Sequence, residues 1–267
     1  MSTERSDAHA LISFRVRLFS VWSWLIALVV FAFGFVVLAG FIPPPQEDWS
    51  ASRLAAFYEE NRTGIRAGII VAMFGSAFMM PFFTAISHEI RRIEGPGAGI
   101  LAQVQFAGAV ILIAFFQIIC LGWLLASLRP EISPEITRAI HDYGWLVWTI
   151  LIPTYSMQFV CMAVAGFMDQ RERPLWPRSA AYVNLWCALT GAGGVLAVFF
   201  KNGPFSWNGV LGFWIPVIAF VLAMTMTMVL MRKRVLAERP AGATPVLQPD
   251  EDAPDTQARR EPLGAGV

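Results

Sequence analysis

Apolar residues run through this chain in long blocks. Six of them, each 20 to 24 residues, lie at about 21–42, 67–87, 104–126, 144–167, 181–200 and 210–231. Each is long enough to cross a hydrocarbon core of ~30 Å at ~1.5 Å per residue. None carries Asp, Glu, Lys or Arg away from its ends, as the cost of a charge inside a membrane requires. The expected fold is all-α, a polytopic bundle of six transmembrane helices flanked by an N-terminal segment over 1–20 and a disordered tail over 232–267.

Two of the polar connections carry a pattern of their own. In "PPPQEDWSASRLAAFYEENRTGIR", Leu54, Phe57 and Tyr58 recur at helical spacing while Arg53, Glu59 and Glu60 fall elsewhere. This predicts a short amphipathic helix over Ala51 to Asn61, lying on the outer face of the membrane or bundle. In "RPEISPEITRAIHDYG", Ser133 suits an N-cap, Pro134 the first helical position and Glu135 the first turn, which predicts a second such helix. From Leu236 onward the chain is rich in Pro, Ala, Gly and charge and has no apolar period, the composition of an unstructured tail.

Composition agrees with lipid as the solvent. The chain is 56% hydrophobic and 15% charged, against about 25% charged for an ordinary soluble domain. The net charge of +1 says little about partners, because the charges are segregated by side. Counting alternate connections, 14 Lys and Arg fall with the two termini and 6 on the opposite side, so both termini are expected in the cytoplasm. The first apolar block is too long for the ~7 to 15 residue core of a cleaved signal and lacks a convincing cleavage site, so it reads as a retained anchor. Cys120, Cys161 and Cys187 lie in different blocks without CxxC spacing, the pattern of small apolar filler.

Polar side chains within the blocks are the places to look for function. In "TILIPTYSMQFVC", Thr154, Tyr155 and Gln158 fall within an arc of roughly 100° near mid-span. Pro153 withholds a hydrogen bond from the Thr149 carbonyl at the same depth. Gln117, in the preceding block, is the natural partner of Gln158. These groups either form a midplane pocket that hydrogen-bonds a ligand or hold helices together. Ser76, Pro81 and Thr84 beside "FMMPFF", and Gly191, Gly193 and Gly194 in "CALTGAGGVLA", read as packing, within one chain or between chains.

Several chemistries lack their residues. None of the three His lies within a block: His9 is near the N-terminus, His88 at a helix exit and His141 in a connection. That argues against bis-histidine haem and against a Ser–His or Cys–His nucleophile inside the bundle. No block holds the acid a proton or sodium pump uses, nor HExxH or paired Asp. An enzyme site would have to lie at the interface, on His88, Glu89 and Arg91 or on His141 and Asp142. The expectation is a protein without an enzyme activity, a metal or a cofactor.

The run "KNGPFSWNGVLGFWIP" over 201–216 reads as a tight turn followed by a helix kinked near Pro216. Trp207 and Trp214, with Trp145 and Trp148, fit the aromatic belt at a membrane surface. Trp207 and Asn208 together would make a polar and aromatic lip over an outward pocket. This run, with "AAFYEENRTGIRAG" and "NLWCALTG", resembles a family of bacterial six-helix integral-membrane proteins over about 45 to 231. The resemblance implies a bacterial inner (plasma) membrane and six helices, and carries over no catalytic residue.

The leading expectation is therefore binding or passage of a hydrophobic small molecule or lipid through an uncharged bundle, with Gln117, Thr154, Tyr155, Gln158, Trp207 and Asn208 as its contacts. A structural or assembly subunit is the second reading, and an interfacial lipid-modifying enzyme the third. Membrane lipid is the expected partner and nucleic acid is not; the sequence leaves a homo-oligomer or a membrane partner open.

Overall fold

The computed structural model describes residues 2–97, 99–129, 131–150 and 152–240. Its elements are helical throughout, and six segments are long and apolar enough to cross a membrane: Ala8–Leu38, Arg62–Glu94, Ile100–Leu128, Pro134–Met168, Arg178–Val198 and Val210–Ala237. The chain is a multi-pass membrane protein. All but the fifth span are 28 to 35 residues long, well beyond the apolar blocks, because helix continues into the polar flanks. The tail from 241 onward lies outside the described residues; its expected start, at 232 or at Leu236, is too early, since helix reaches Ala237 and Glu238 is held in place.

In chain order the helices are α1 (Ser2–Ala32), α2 (Ala51–Glu60), α3 (Arg62–Ala77), α4 (Met79–Glu94), α5 (Ile100–Leu128), α6 (Pro134–Ile150), α7 (Ile152–Met168), α8 (Arg178–Thr190), α9 (Ala192–Val195) and α10 (Ile215–Ala237). The N-terminal segment is thus the first turns of α1. The helix expected in the first connection is α2, capped by Ser50, whose hydroxyl accepts the Arg53 amide at 3.2 Å, with Leu54 and Tyr58 buried. The second expected short helix is not a separate element. Ser133 does begin it, accepting from the Ile136 amide at 3.4 Å, but Gly144 does not stop it: buried against Trp123, it stays helical, and the helix runs on as α6 into the fourth span.

Two ends of the bundle have opposite chemistry. At one, Arg17 on α1 meets Glu89 on α4 at 3.0 Å and Glu238 at 2.7 Å. Arg92 joins the same two carboxylates, each at 3.0 Å, and Arg234 lies 3.6 Å from Glu89 and 3.2 Å from Glu238. The basic exits seen in the sequence are therefore partners in an ionic knot tying α1, α4 and α10. Glu89 is only 3% exposed, and the surrounding guanidinium groups offset the desolvation cost of burying its charge.

At the other end the core is aromatic. Phe41 packs edge-on against Trp123, centroids 5.0 Å apart, and Trp123 lies 5.1 Å from Trp145. His141 sits inside this nest, 1% exposed, with Nδ1 3.0 Å from the Tyr58 hydroxyl. This corrects the reading of His141 as an interfacial loop residue. Trp145 and Trp207 are buried too, so neither forms a lipid-facing belt; Trp207 donates its indole N–H to the Pro45 carbonyl at 2.9 Å.

The first span and α3 approach each other closely. Gly64, Gly68 and Gly75 let the backbone of α3 rest on Gly34, Leu38 and Phe31 of the first span, the close approach that small residues permit in membranes. Gly193 does the same against Leu211 within this chain.

Candidate functional site

Prolines and glycines break the spans where the sequence places them. Pro81 cannot donate to the carbonyl four residues earlier, and the second span is interrupted at Phe78, between α3 and α4. The fifth span breaks at Gly191, between α8 and α9. Pro216 likewise withholds a donor, and the sixth span opens with a π-helical turn over Val210–Trp214, in which the Trp214 amide reaches the Gly209 carbonyl at 3.3 Å. The expectation for Pro153 falls outside the described residues.

A cavity of about 190 Å³ lies beside these three interruptions, and all six spans contribute to its wall. Met79, Gly191 and Gly212 come from the interrupted segments, each at or next to a break. Irregular backbone at membrane depth is stable where it is buried in protein or lines a cavity, and π-turns concentrate at functional sites. Seven aromatic rings face the cavity. Trp24, Phe31 and Phe116 come from the first and third spans; Trp148, Tyr155, Phe213 and Phe220 come from the fourth and sixth. Among the described residues no acidic or basic side chain lines it.

Three of the polar groups in the wall already have partners. Thr149 donates to the Trp145 and Leu146 carbonyls at 3.0 and 3.2 Å. The Tyr155 hydroxyl lies 2.9 Å from Cys187 Sγ on α8, and Trp24 donates to Thr225 Oγ1 at 3.1 Å. A guest would meet ring faces and aliphatic carbons.

Of the six residues expected at the site, Tyr155 alone lines this cavity. Gln117 does not meet Gln158; it donates to the Met73 carbonyl at 3.1 Å and to Ser76 Oγ at 2.7 Å, tying α5 to α3. The reason is that α5 packs on α3 as well as on α7, and Gln117 lies on the α3 side. The arc of Thr154, Tyr155 and Gln158 also divides. Tyr155 faces the cavity and α8, while Thr154 and Gln158 lie against Gly108 of α5.

Trp207 and Asn208 belong elsewhere. Asn208 lines a separate cleft of about 350 Å³ with Pro43, Pro45, Trp49 and Arg53, where the Arg53 guanidinium stacks 4.2 Å from the Trp49 ring centre. Trp207 stands behind this wall, through its bond to Pro45.

The residues proposed for an interfacial enzyme are not assembled. His88 is exposed, Glu89 is locked in the ionic knot, and His141 is enclosed by aromatic rings. Among the described residues no group of His, Cys, Asp and Glu is placed to hold a metal ion.

The sequence reading missed the aromatic wall. Its signal was present, since Trp24, Phe31, Phe116 and Phe213 all lie within apolar blocks, but a block hydrophobic all round does not show which side faces inward. Compared with family models, curated proteins and solved structures, the chain matches none.

Proposed function

We propose that this protein binds a hydrophobic small molecule in the cavity lined by its six spans, without an enzyme activity of its own. The observation that carries this reading is an uncharged, aromatic-walled cavity set where three spans interrupt their helices. Helix breaks are costly in lipid, and three of them converging on one space favours a site over incidental packing. The volume exceeds the ~150 Å³ of an apolar cavity known to hold benzene, so it suits a substituted ring or an isoprenoid-sized unit. The resemblance carried by the sequence supports a bacterial plasma membrane setting, and the charge bias of the connections supports both termini in the cytoplasm, with the ionic knot inside and the aromatic end outside.

The test is native mass spectrometry of protein released from its own membrane, compared with Val217→Phe, which adds volume to the cavity wall. A defined hydrophobic adduct on the parent, missing from a variant of unchanged melting temperature, is the expected result. A clean mass for both, with a second protein at fixed stoichiometry, would overturn it in favour of a structural subunit.

A further inference from the structure

Buried polar side chains in this bundle nearly all find partners. Ser23, Ser76, Ser127 and Thr149 each donate to a carbonyl of their own helix, and Ser156 of α7 donates to the Ala188 carbonyl at 2.7 Å. Single atoms go unpaired elsewhere, among them the indole nitrogens of Trp49 and Trp145 and Nε2 of His141, but three carboxamides leave both of their polar atoms without a partner. Gln105 on α5, Gln158 on α7 and Asn184 on α8 are 0%, 1% and 0% exposed, and neither the oxygen nor the nitrogen of any of them has a partner among the described residues. A buried amide left unpaired is destabilising, and three in one region of a membrane bundle call for a physical reason.

Their position supplies one. Gln158 is one turn along α7 from Tyr155, which lines the cavity. Its Cγ would lie 2.9 Å from a Cβ on Gly108, and Gly108 is one turn along α5 from Leu112, also in the cavity wall. Two helices thus agree that the Gln158 amide sits one turn, about 5 Å, beyond the cavity on the side of the ionic knot. Gln105 is one further turn along α5. Asn184 is one turn beyond Ala188, the residue that pairs with Ser156 next to Tyr155.

Resting on the reading of the cavity as a binding site, we infer that Gln158, with Gln105 behind it, forms the polar end of that site, and that the guest is a neutral amphiphile with an apolar ring or chain and a terminal hydroxyl or carbonyl. A carboxamide offers both a donor and an acceptor, so it takes either group. The absence of acidic or basic side chains from the wall selects against a charged guest. An apolar cavity alone gives little discrimination, whereas a site built to hydrogen-bond its guest rejects the analogue lacking that group, because its own polar atoms then stay unpaired.

The test uses two probes with the same number of non-hydrogen atoms, ethylbenzene and benzyl alcohol, titrated into the purified full chain in detergent. Each is compared between the parent and Gln158→Leu, so that partition into the micelle cancels. The expected result is that Gln158→Leu weakens benzyl alcohol about tenfold and leaves ethylbenzene within about twofold. If both probes bind and the substitution alters neither, or both alike, the polar end is overturned while the cavity reading stands. If neither probe binds the parent, the cavity reading itself fails. Gln105→Leu is the second variant should Gln158→Leu not fold, with a smaller loss confined to benzyl alcohol expected and equal binding of both probes overturning the assignment.

Discussion

Glu94 and Arg66 close opposite ends of the same helix. The Glu94 carboxylate accepts the Leu101 and Ala102 amides at 2.9 and 3.0 Å, at the start of α5. The Arg66 guanidinium donates to the Ser127 carbonyl at 2.6 Å and the Leu128 carbonyl at 2.7 Å, at its end. Each charge opposes the helix dipole at its own terminus and satisfies backbone groups that the helix cannot. Glu94→Ala and Arg66→Ala are each expected to cost about 1 kcal/mol in urea unfolding from detergent. The two sites lie about 40 Å apart along α5, so the double variant should show the sum of the single losses; a shortfall would mean that the two ends are coupled.

Gly68 has no room for a side chain. A Cβ there would run into the Gly34 carbonyl oxygen and the Ala39 amide nitrogen, both backbone atoms that move only if α1 and α3 separate. Gly97 has nothing within 4 Å of the same added atom. Gly68→Ala is expected to lower stability by about 1–3 kcal/mol, while Gly97→Ala stays within about 0.5 kcal/mol. Thermal unfolding of the two variants side by side checks this, and equal melting temperatures would remove the close crossing from the account.

How much of the fold and the site was legible in the sequence divides along physical lines. The spans could be read because an uninterrupted apolar block of membrane length seldom occurs outside a bilayer. The cap at Ser133 and the irregularity near Pro216 could be read because they depend on local backbone chemistry. What could not be read was which way each span faces. Gln117 and Gln158 look equivalent in sequence, yet one ties two helices and the other stays unpaired, and that difference is set by rotation of α5 and α7 about their axes. The ionic knot was hidden for a similar reason. Arg17, Arg92 and Arg234 obey the charge rule for connections, and only the meeting of α1, α4 and α10 shows that Glu89 and Glu238 neutralise them.

Tyr58 and His141 form a buried pair between α2 and α6, surrounded by Phe41, Trp123 and Trp145. Removing one partner leaves the other unpaired in an apolar nest. Tyr58→Phe and His141→Leu are each expected to cost about 1–3 kcal/mol, and the double variant less than their sum, since two apolar groups leave no orphan. A double-mutant cycle by chemical unfolding measures this, and strict additivity would show that the contact contributes nothing.

Acid should weaken the ionic knot through Glu238. Burial alone would raise its carboxyl, but hydrogen bonds from Arg92 and Arg17 outweigh burial and hold it at about 2, below its ordinary 4.5. The folded state therefore binds the proton less tightly than the unfolded chain. The stabilisation is complete above about pH 4.5, declines as the pH falls, and is gone below about 2. Asp169 acts in the same direction: burial raises its carboxyl, yet hydrogen bonds from Arg171 and from the Leu175 amide bring it below its usual range. Glu238→Gln is thus expected to lower stability at pH 7 and to flatten, without abolishing, the loss between pH 4.5 and 2, the remainder belonging in part to Asp169. Unfolding midpoints measured across pH 2–7 in both proteins decide it. An identical slope in the variant would mean that Glu238 is not held by Arg17 and Arg92 in solution, and that α10 is free to part from α1 and α4 at that end of the bundle.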